Sequence, residues 1–295
     1  MTTGVAVELA WRADSRVGES ILWNAPTGEL WWIDIGRSTL CCLELSPAIP
    51  RVHTLPSRPG CLALAGQGYL LVGLEDGLYR VDASTGDLSF IQSAPAATVP
   101  SRFNDSAVSP DGRLFAGYMP LGDRSGALST IFRYDGAGSA QMRSGLFVPN
   151  GMAFSPDARM FYASDSWPES RRIWRHHYDI QSGTIGPAEL FFDTNQVAGR
   201  PDGAAMDAEG CYWMAGVGGG ELLRIDPHGR LDRRISLPIS HPTKPCFGGA
   251  GLKTLFVTSI GPDAGVGGVM GELSGSILAL QVDVPGMPEK EFAIG

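Results

Sequence analysis

Short apolar stretches alternate with polar, turn-forming breaks along this chain. Arg200-Pro201-Asp202-Gly203 opens an apolar run to Met206, Asp207-Ala208-Glu209-Gly210 interrupts it, and Cys211 to Ala215 resumes it. That pattern predicts a strand, a glycine-bearing turn and a second, aromatic-rich strand. The unit recurs. Glu19 to Trp23 leads through Asn24-Ala25-Pro26 into Leu30 to Ile33, Asn104 to Val108 through Ser109-Pro110-Asp111-Gly112 into Leu114 to Gly117, and Asn150 to Phe154 through Ser155-Pro156-Asp157 into Met160 to Ala163. The second strands begin at Leu30, Tyr69, Leu114, Met160, Tyr212 and Leu255, a step of roughly 40 to 50 residues, which is the period of a propeller blade. No helical period is sustained.

The expected architecture is therefore all-β: one six-bladed β-propeller with four antiparallel strands per blade, spanning residues 1–295. Blade one uses Glu19 to Trp23, Glu29 to Ile35 and Thr39 to Leu45. Blade two uses Cys61 to Ala65, Tyr69 to Leu74, Gly77 to Asp82 and Asp87 to Ile91. Blade three uses Asn104 to Val108, Leu114 to Tyr118 and Thr130 to Tyr134. Blade four uses Asn150 to Phe154, Met160 to Ser164 and Ile173 to Asp179. Blade five uses Asp202 to Met206, Tyr212 to Ala215 and Glu221 to Ile225, and blade six Leu255 to Ser259 and Ser276 to Val282. Val5 to Trp11 has no hairpin partner nearby and is expected to complete the last blade, closing the ring.

First strands of a propeller run beside the central channel, so equivalent residues at their starts converge on the axis. Asn104, Asn150, Asp202 and Glu19 each stand five residues before the following turn at Ser109, Ser155, Asp207 and Asn24. The same count selects Gly60 in blade two and Pro245 in blade six. The ring reads Glu19, Gly60, Asn104, Asn150, Asp202, Pro245. Two carboxylates facing one point in a channel call for a cation or a proton. Oxygen donors without His or Cys suit a hard divalent ion such as Ca²⁺, Mg²⁺ or Mn²⁺. None of His53, His176, His177, His228 or His241 shares the register. Asn and Asp also serve as turn residues, so the weight lies on four polar residues in one register.

Composition narrows the class. The chain is 43% hydrophobic and 18% charged, with 39 Gly and 21 Pro, which suits a globular protein of short strands and tight turns. A net charge of -8 argues against a nucleic-acid partner. Cys41, Cys42, Cys61, Cys211 and Cys246 lie in apolar strands without CxxC spacing and read as reduced, buried thiols. No signal peptide and no membrane-length apolar run is visible, so the expected setting is cytoplasmic, as a monomer or weak homo-oligomer.

Five motifs carry a resemblance: Val17-Gly18-Glu19 with Leu22-Trp23; Arg102-Phe103-Asn104-Asp105 with Asp111-Gly112-Arg113; Pro149-Asn150-Gly151 with Ser155-Pro156-Asp157 and Asp165-Ser166; Pro201-Asp202-Gly203 with Asp207-Ala208-Glu209-Gly210; and Thr243-Lys244-Pro245-Cys246-Phe247-Gly248-Gly249. Together they resemble the gluconolactonase/regucalcin (senescence-marker-protein) family of six-bladed propellers over nearly the whole chain. The resemblance implies a divalent metal held by Glu19, Asn150 and Asp202, Ca²⁺ foremost, with Mg²⁺, Mn²⁺, Zn²⁺ or Fe²⁺ as the other candidates. It implies substrate contacts from Arg102 and Asn104, an acid/base role for Asp202, and hydrolysis of a small sugar lactone to its aldonic acid. A related esterase or phosphotriesterase, or a non-enzymatic Ca²⁺-binding propeller, are the alternatives. The chain departs from the family pattern in two places. Ser20 follows the glutamate where glycine is usual, and Gly122, with Asp123 beside it, stands nearest to where some members carry a substrate-binding Glu. Trp167 is expected to cap the rim, Asp165 and Asp207 to shape turns, and the loops after Pro120 and Ile260 to form the entrance.

Overall fold

The computed structural model describes residues 5–122, 128–268 and 270–293. Its strands form six antiparallel sheets arranged in a ring. Blade one consists of Gly18–Asn24, Glu29–Asp34, Thr39–Leu45 and Ala48–Thr54. Blade two consists of Cys61–Leu64, Tyr69–Gly73, Gly77–Asp82 and Leu88–Ser93. Blade three consists of Ser101–Val108, Leu114–Pro120, Ser129–Asp135 and Gly138–Leu146. Blade four has Pro149–Phe154, Met160–Asp165 and Arg172–Asp179, and its outer position is divided between Thr184–Ile185 and Glu189–Asp193. Blade five consists of Arg200–Met206, Tyr212–Val217, Glu221–Ile225 and Leu231–Ser236. Blade six takes Pro242–Gly248, Thr254–Ser259 and Ile277–Gln281 from the C-terminal part and Val7–Trp11 from the start of the chain. Val7 pairs with Leu280 and Leu9 with Leu278, so the unpartnered first strand does close the ring.

Each first strand packs against the first strands of both neighbouring blades, from blade one round to blade six and back. The apolar cores lie between blades rather than within them. Leu22, Trp31 and Ile33 of blade one meet Leu62, Leu70 and Val72 of blade two. Phe115 and Ile131 of blade three meet Met152 and Phe161 of blade four. Trp213 and Leu222 of blade five meet Phe247 and Leu255 of blade six. Such cores form only when both blades are present, which makes the ring cooperative.

Five of the six first strands carry a β-bulge at the ring position: between Glu19 and Leu22, Asn104 and Ser106, Asn150 and Ala153, Pro201 and Ala204, and Pro242 and Pro245. A bulge re-aims the side chains beside it, and here it interrupts the pairing where the polar residues meet the channel. In three of them the next residue is left-handed: Ser20 at φ 49°, Asp105 at 45° and Gly151 at 61°. Glycine adopts that conformation freely, whereas it costs a residue with a Cβ about 1–2 kcal/mol, so Ser20 carries a strain at this position that glycine would not.

Cys61–Leu64 pairs without interruption, and Gly60 just before it has no side chain to offer. A Cβ at Gly60 would lie 1.9 Å from the Phe103 carbonyl oxygen, so blade two gives up a polar group to let the blade-three backbone close on it. Gly60→Ala is expected to lower stability by about 2 kcal/mol or more through this overpacking, read as a lower melting temperature in a thermal unfolding scan.

The other end of the channel is covered by the C-terminal segment. Met287 N donates to Met206 O at 3.1 Å, Phe292 N to Leu64 O at 2.7 Å and Ala293 N to Gly112 O at 2.9 Å. No helix among the described residues is long and apolar enough to cross a membrane, and all five cysteines are free and buried.

Candidate active site

Glu19, Arg102, Asn104, Asn150 and Asp202, drawn from blades one, three, four and five, line one cavity of about 270 Å³. The ring residues Gly60 and Pro245 do not line it; Thr243 represents blade six there. Wider hollows of about 600 Å³ lie between strands at the perimeter, one against Trp23 and Gly249, another against Tyr162 and Pro227. Neither lies on the axis where the first strands converge.

A chain of hydrogen bonds fixes the carboxamides. Ser166 Oγ gives its single proton to the Pro201 carbonyl, so it must accept from Asn150 Nδ2, 2.7 Å away. That sets the Asn150 amide with its oxygen at the other end. Asn150 Oδ1 accepts from Asn104 Nδ2 at 2.9 Å, and the same Nδ2 donates to Pro149 O at 2.9 Å. A carboxamide oxygen has two lone pairs, so Asn150 Oδ1 keeps one for a further partner. Asp165 accepts from the backbone N–H groups of Phe147, Val148 and Trp167 at 3.0, 2.9 and 3.1 Å, holding the approach to Pro149–Phe154. Asp165 thus has the turn role read for it. Asp207 is a buried hub as well as a turn residue: it accepts from Trp213 Nε1 at 2.9 Å and Arg224 Nε at 2.8 Å.

The two carboxylates are electrostatically costly as they stand. Placement in the channel, then the negative charge of Asp105, pushes Glu19 up to about 7. Burial, then Glu19 and Asp105, pushes Asp202 well above the usual carboxylate range. Ser20 N donates to Glu19 Oε2 at 2.8 Å and partly offsets the shift. Beneath them lies a buried ion pair, Lys244 Nζ with Asp105 Oδ1. Lys244 also donates to Ser106 O at 3.2 Å, and Asp105 Oδ2 accepts from Met152 N at 2.9 Å. The pair ties blade six to blades three and four just below Asn104 and Asn150. Burial works against the Lys244 charge, but the Asp105 carboxylate more than compensates and raises its pKa.

Among the described residues no three His, Cys, Asp or Glu side chains gather as a metal cluster; the candidate set mixes two carboxylates with a carboxamide. It nevertheless fits a hard divalent ion. The donors are all oxygen, Asn150 presents its oxygen, and Glu19 and Asp202 are raised by burial and by neighbouring carboxylates despite the cationic side chains nearby, a cost that a bound cation would relieve. Linkage gives a test. A native carboxylate raised above its unfolded value keeps a proton that the unfolded chain has already lost. Without a cation, stability should therefore fall as pH rises from about 4.5, the unfolded Glu value, through about 7, the native one. Melting temperatures in chelator are expected to be lower at pH 8 than at pH 5, and a divalent ion should restore the loss most at pH 8.

Trp167 lines the cavity and stacks on Phe147, with ring centroids 5.3 Å apart. Met119 and Ile260, beside the two expected entrance loops, also line it. Asp123 lies outside the described residues. Sequence reasoning passed over Ser166, Lys244 and Arg200. A lysine inside the wholly buried run Pro242–Gly248 is the signal that could have exposed Lys244.

Residues 17–261 match the family model for the SMP-30/gluconolactonase/LRE-like region. The chain belongs to this family. Within the SMP-30/gluconolactonase family it is 36% identical to a 6-deoxy-6-sulfogluconolactonase from Pseudomonas putida, over 96% of this chain and 97% of that one. It is 32% identical to a pentonolactonase from Haloferax volcanii, over 93% and 94%. A crystal structure of a calcium-binding protein, regucalcin, from Agrobacterium tumefaciens superposes with a TM-score of 0.91 at 27% identity, covering 98% of this chain and 97% of that one. The resemblance read from the five motifs holds, and the chain is a gluconolactonase-like enzyme.

Proposed function

We propose that the enzyme hydrolyses a sugar lactone to its aldonic acid and that Glu19, Asn150 and Asp202 hold a divalent cation for that reaction. The observation that carries the reading is the meeting of these three side chains, from three blades, on the wall of one cavity. The lactonase names of the relatives support the substrate class, and the calcium-binding name of the structural relative supports a divalent ion, Ca²⁺ first.

A divalent ion bound there would polarise the lactone carbonyl and ease ionisation of water. The residues of the chain do the rest. Arg102 and Asn104 hold the sugar hydroxyls and so orient the ring. Asp202 accepts the proton of the water whose oxygen attacks the carbonyl carbon. As the bond from that carbon to the ring oxygen breaks, Asp202 delivers the proton to the departing oxygen.

Hydrolysis releases an acid, so a pH-indicator assay across several aldonolactones reads it directly. Turnover is expected with at least one lactone, and no turnover with any lactone at any metal would overturn the reading. Chelation should abolish turnover and added divalent ion restore it; full activity in excess chelator would remove the cation from the account. The calcium-binding relative also supports a second reading, a Ca²⁺-binding propeller without catalysis, which predicts metal affinity and no acid release.

A further inference from the structure

Two residues before each ring position, the first strands present a second ring: Val17, Arg58, Arg102, Val148, Arg200 and Thr243. Side chains two apart on a strand face the same way, so this ring stands over the oxygen ring, one step towards the mouth. All of its members except Arg58 line the cavity. Arg58 instead turns to Glu75, 3.8 Å away. Blades one and four thus contribute apolar walls, and blades three and five each contribute a guanidinium. Among the described residues, the charged side chains lining the cavity are Glu19, Asp202, Arg102 and Arg200.

A divalent ion between Glu19 and Asp202 would neutralise both carboxylates and leave the Arg200 guanidinium over the reacting centre with its positive charge unanswered by any side chain among the described residues. A neutral lactone does nothing to balance it. A lactone with a negative group on its tail does, and a planar guanidinium takes an oxyanion through two parallel hydrogen bonds. Arg102 is partly committed, since its Nη1 donates to the Phe103 carbonyl at 2.7 Å. Arg200 makes no side-chain hydrogen bond or ion pair among the described residues, unlike Arg224, which binds Asp207, Glu209 and Asp232.

Resting on the lactonase reading above, we propose that Arg200 is a specificity residue that selects lactones carrying an anionic group at the end remote from the ring ester. The shared chemistry is a terminal oxyanion, whether sulfonate, phosphate or carboxylate.

The test compares kcat/KM for glucono-1,5-lactone with kcat/KM for its 6-sulfonate, 6-phosphate and 6-carboxylate analogues, using wild type, Arg200→Gln and Arg200→Lys. Wild type is expected to favour at least one anionic lactone by about tenfold or more, the best arm identifying the anion. Arg200→Gln should lose at least tenfold more on that lactone than on the neutral one, mainly through KM, and Arg200→Lys should regain part of the difference. Calorimetry on metal-free protein gives a readout apart from turnover: 6-deoxy-6-sulfogluconate should bind more tightly than gluconate, with the gap narrowed by Arg200→Gln. Equal rates on neutral and anionic lactones, or an equal loss on both in Arg200→Gln, would overturn this inference and leave the lactonase reading standing. No turnover of any lactone would overturn both.

Discussion

Asp202→Asn is expected to reduce lactone turnover by about 10²–10⁴-fold, the usual worth of a positioned acid/base group, while the fold survives. The substitution keeps the shape of the side chain and removes both its charge and its capacity to carry a proton. It also removes one of the two carboxylates whose mutual repulsion, together with burial, pushes Asp202 well up. The native state gives up a costly group, so the melting temperature of the metal-free variant should match or exceed that of wild type. This opposition, activity down and stability level or up, separates a functional carboxylate from a structural one. The checks are the pH-indicator assay and a thermal scan in chelator. Near-normal turnover would remove Asp202 from the chemistry, and a collapsed melting temperature would make it a structural residue.

Lys244→Met is expected to be the most destabilising change near the site, costing about 3–5 kcal/mol, because it strands a buried carboxylate without its partner. Asp105 is 3% exposed, and Lys244 Nζ supplies its positive charge. The loss should extend beyond the pair, since Asp105 also holds Met152 N at 2.9 Å next to the bulge that presents Asn150. Combining Lys244→Met with Asp105→Asn should recover a substantial part of the stability. Asn tolerates the left-handed backbone that Asp105 adopts at φ 45° and carries no charge to strand. Chemical denaturation of wild type, the single and the double variant measures this coupling. A single variant within about 0.5 kcal/mol of wild type would mean that the pair contributes nothing.

The blade count and the ring register could be read from sequence because both follow from local rules. A tight turn needs Gly, Asn or Asp at fixed positions, and a strand buried on both faces needs an unbroken apolar run such as Leu30 to Ile33. The outermost strands were less legible. Ala48–Thr54 and Leu231–Ser236 face solvent along much of their length, so little selects their side chains and no clean alternation marks them. The first strand of blade six is located at Pro245 by counting alone and given no bounds, because Pro242-Thr243-Lys244-Pro245 does not look like a buried strand until Lys244 has found Asp105. The partner lies 139 positions away in sequence, and no local pattern announces such a pairing. The same limit hid Ser166. Its motif was visible, but its work of orienting Asn150 depends on the Pro201 carbonyl of the next blade.

The central claim is that Glu19, Asn150 and Asp202 share one cation. Anomalous diffraction from crystals grown with Mn²⁺ tests it most directly. The account predicts a single strong peak in the channel, within about 2.5 Å of an oxygen from each of the three side chains, as expected for a hard divalent ion. A protein that takes up no ion under these conditions, or a peak beyond reach of those three oxygens, would contradict it.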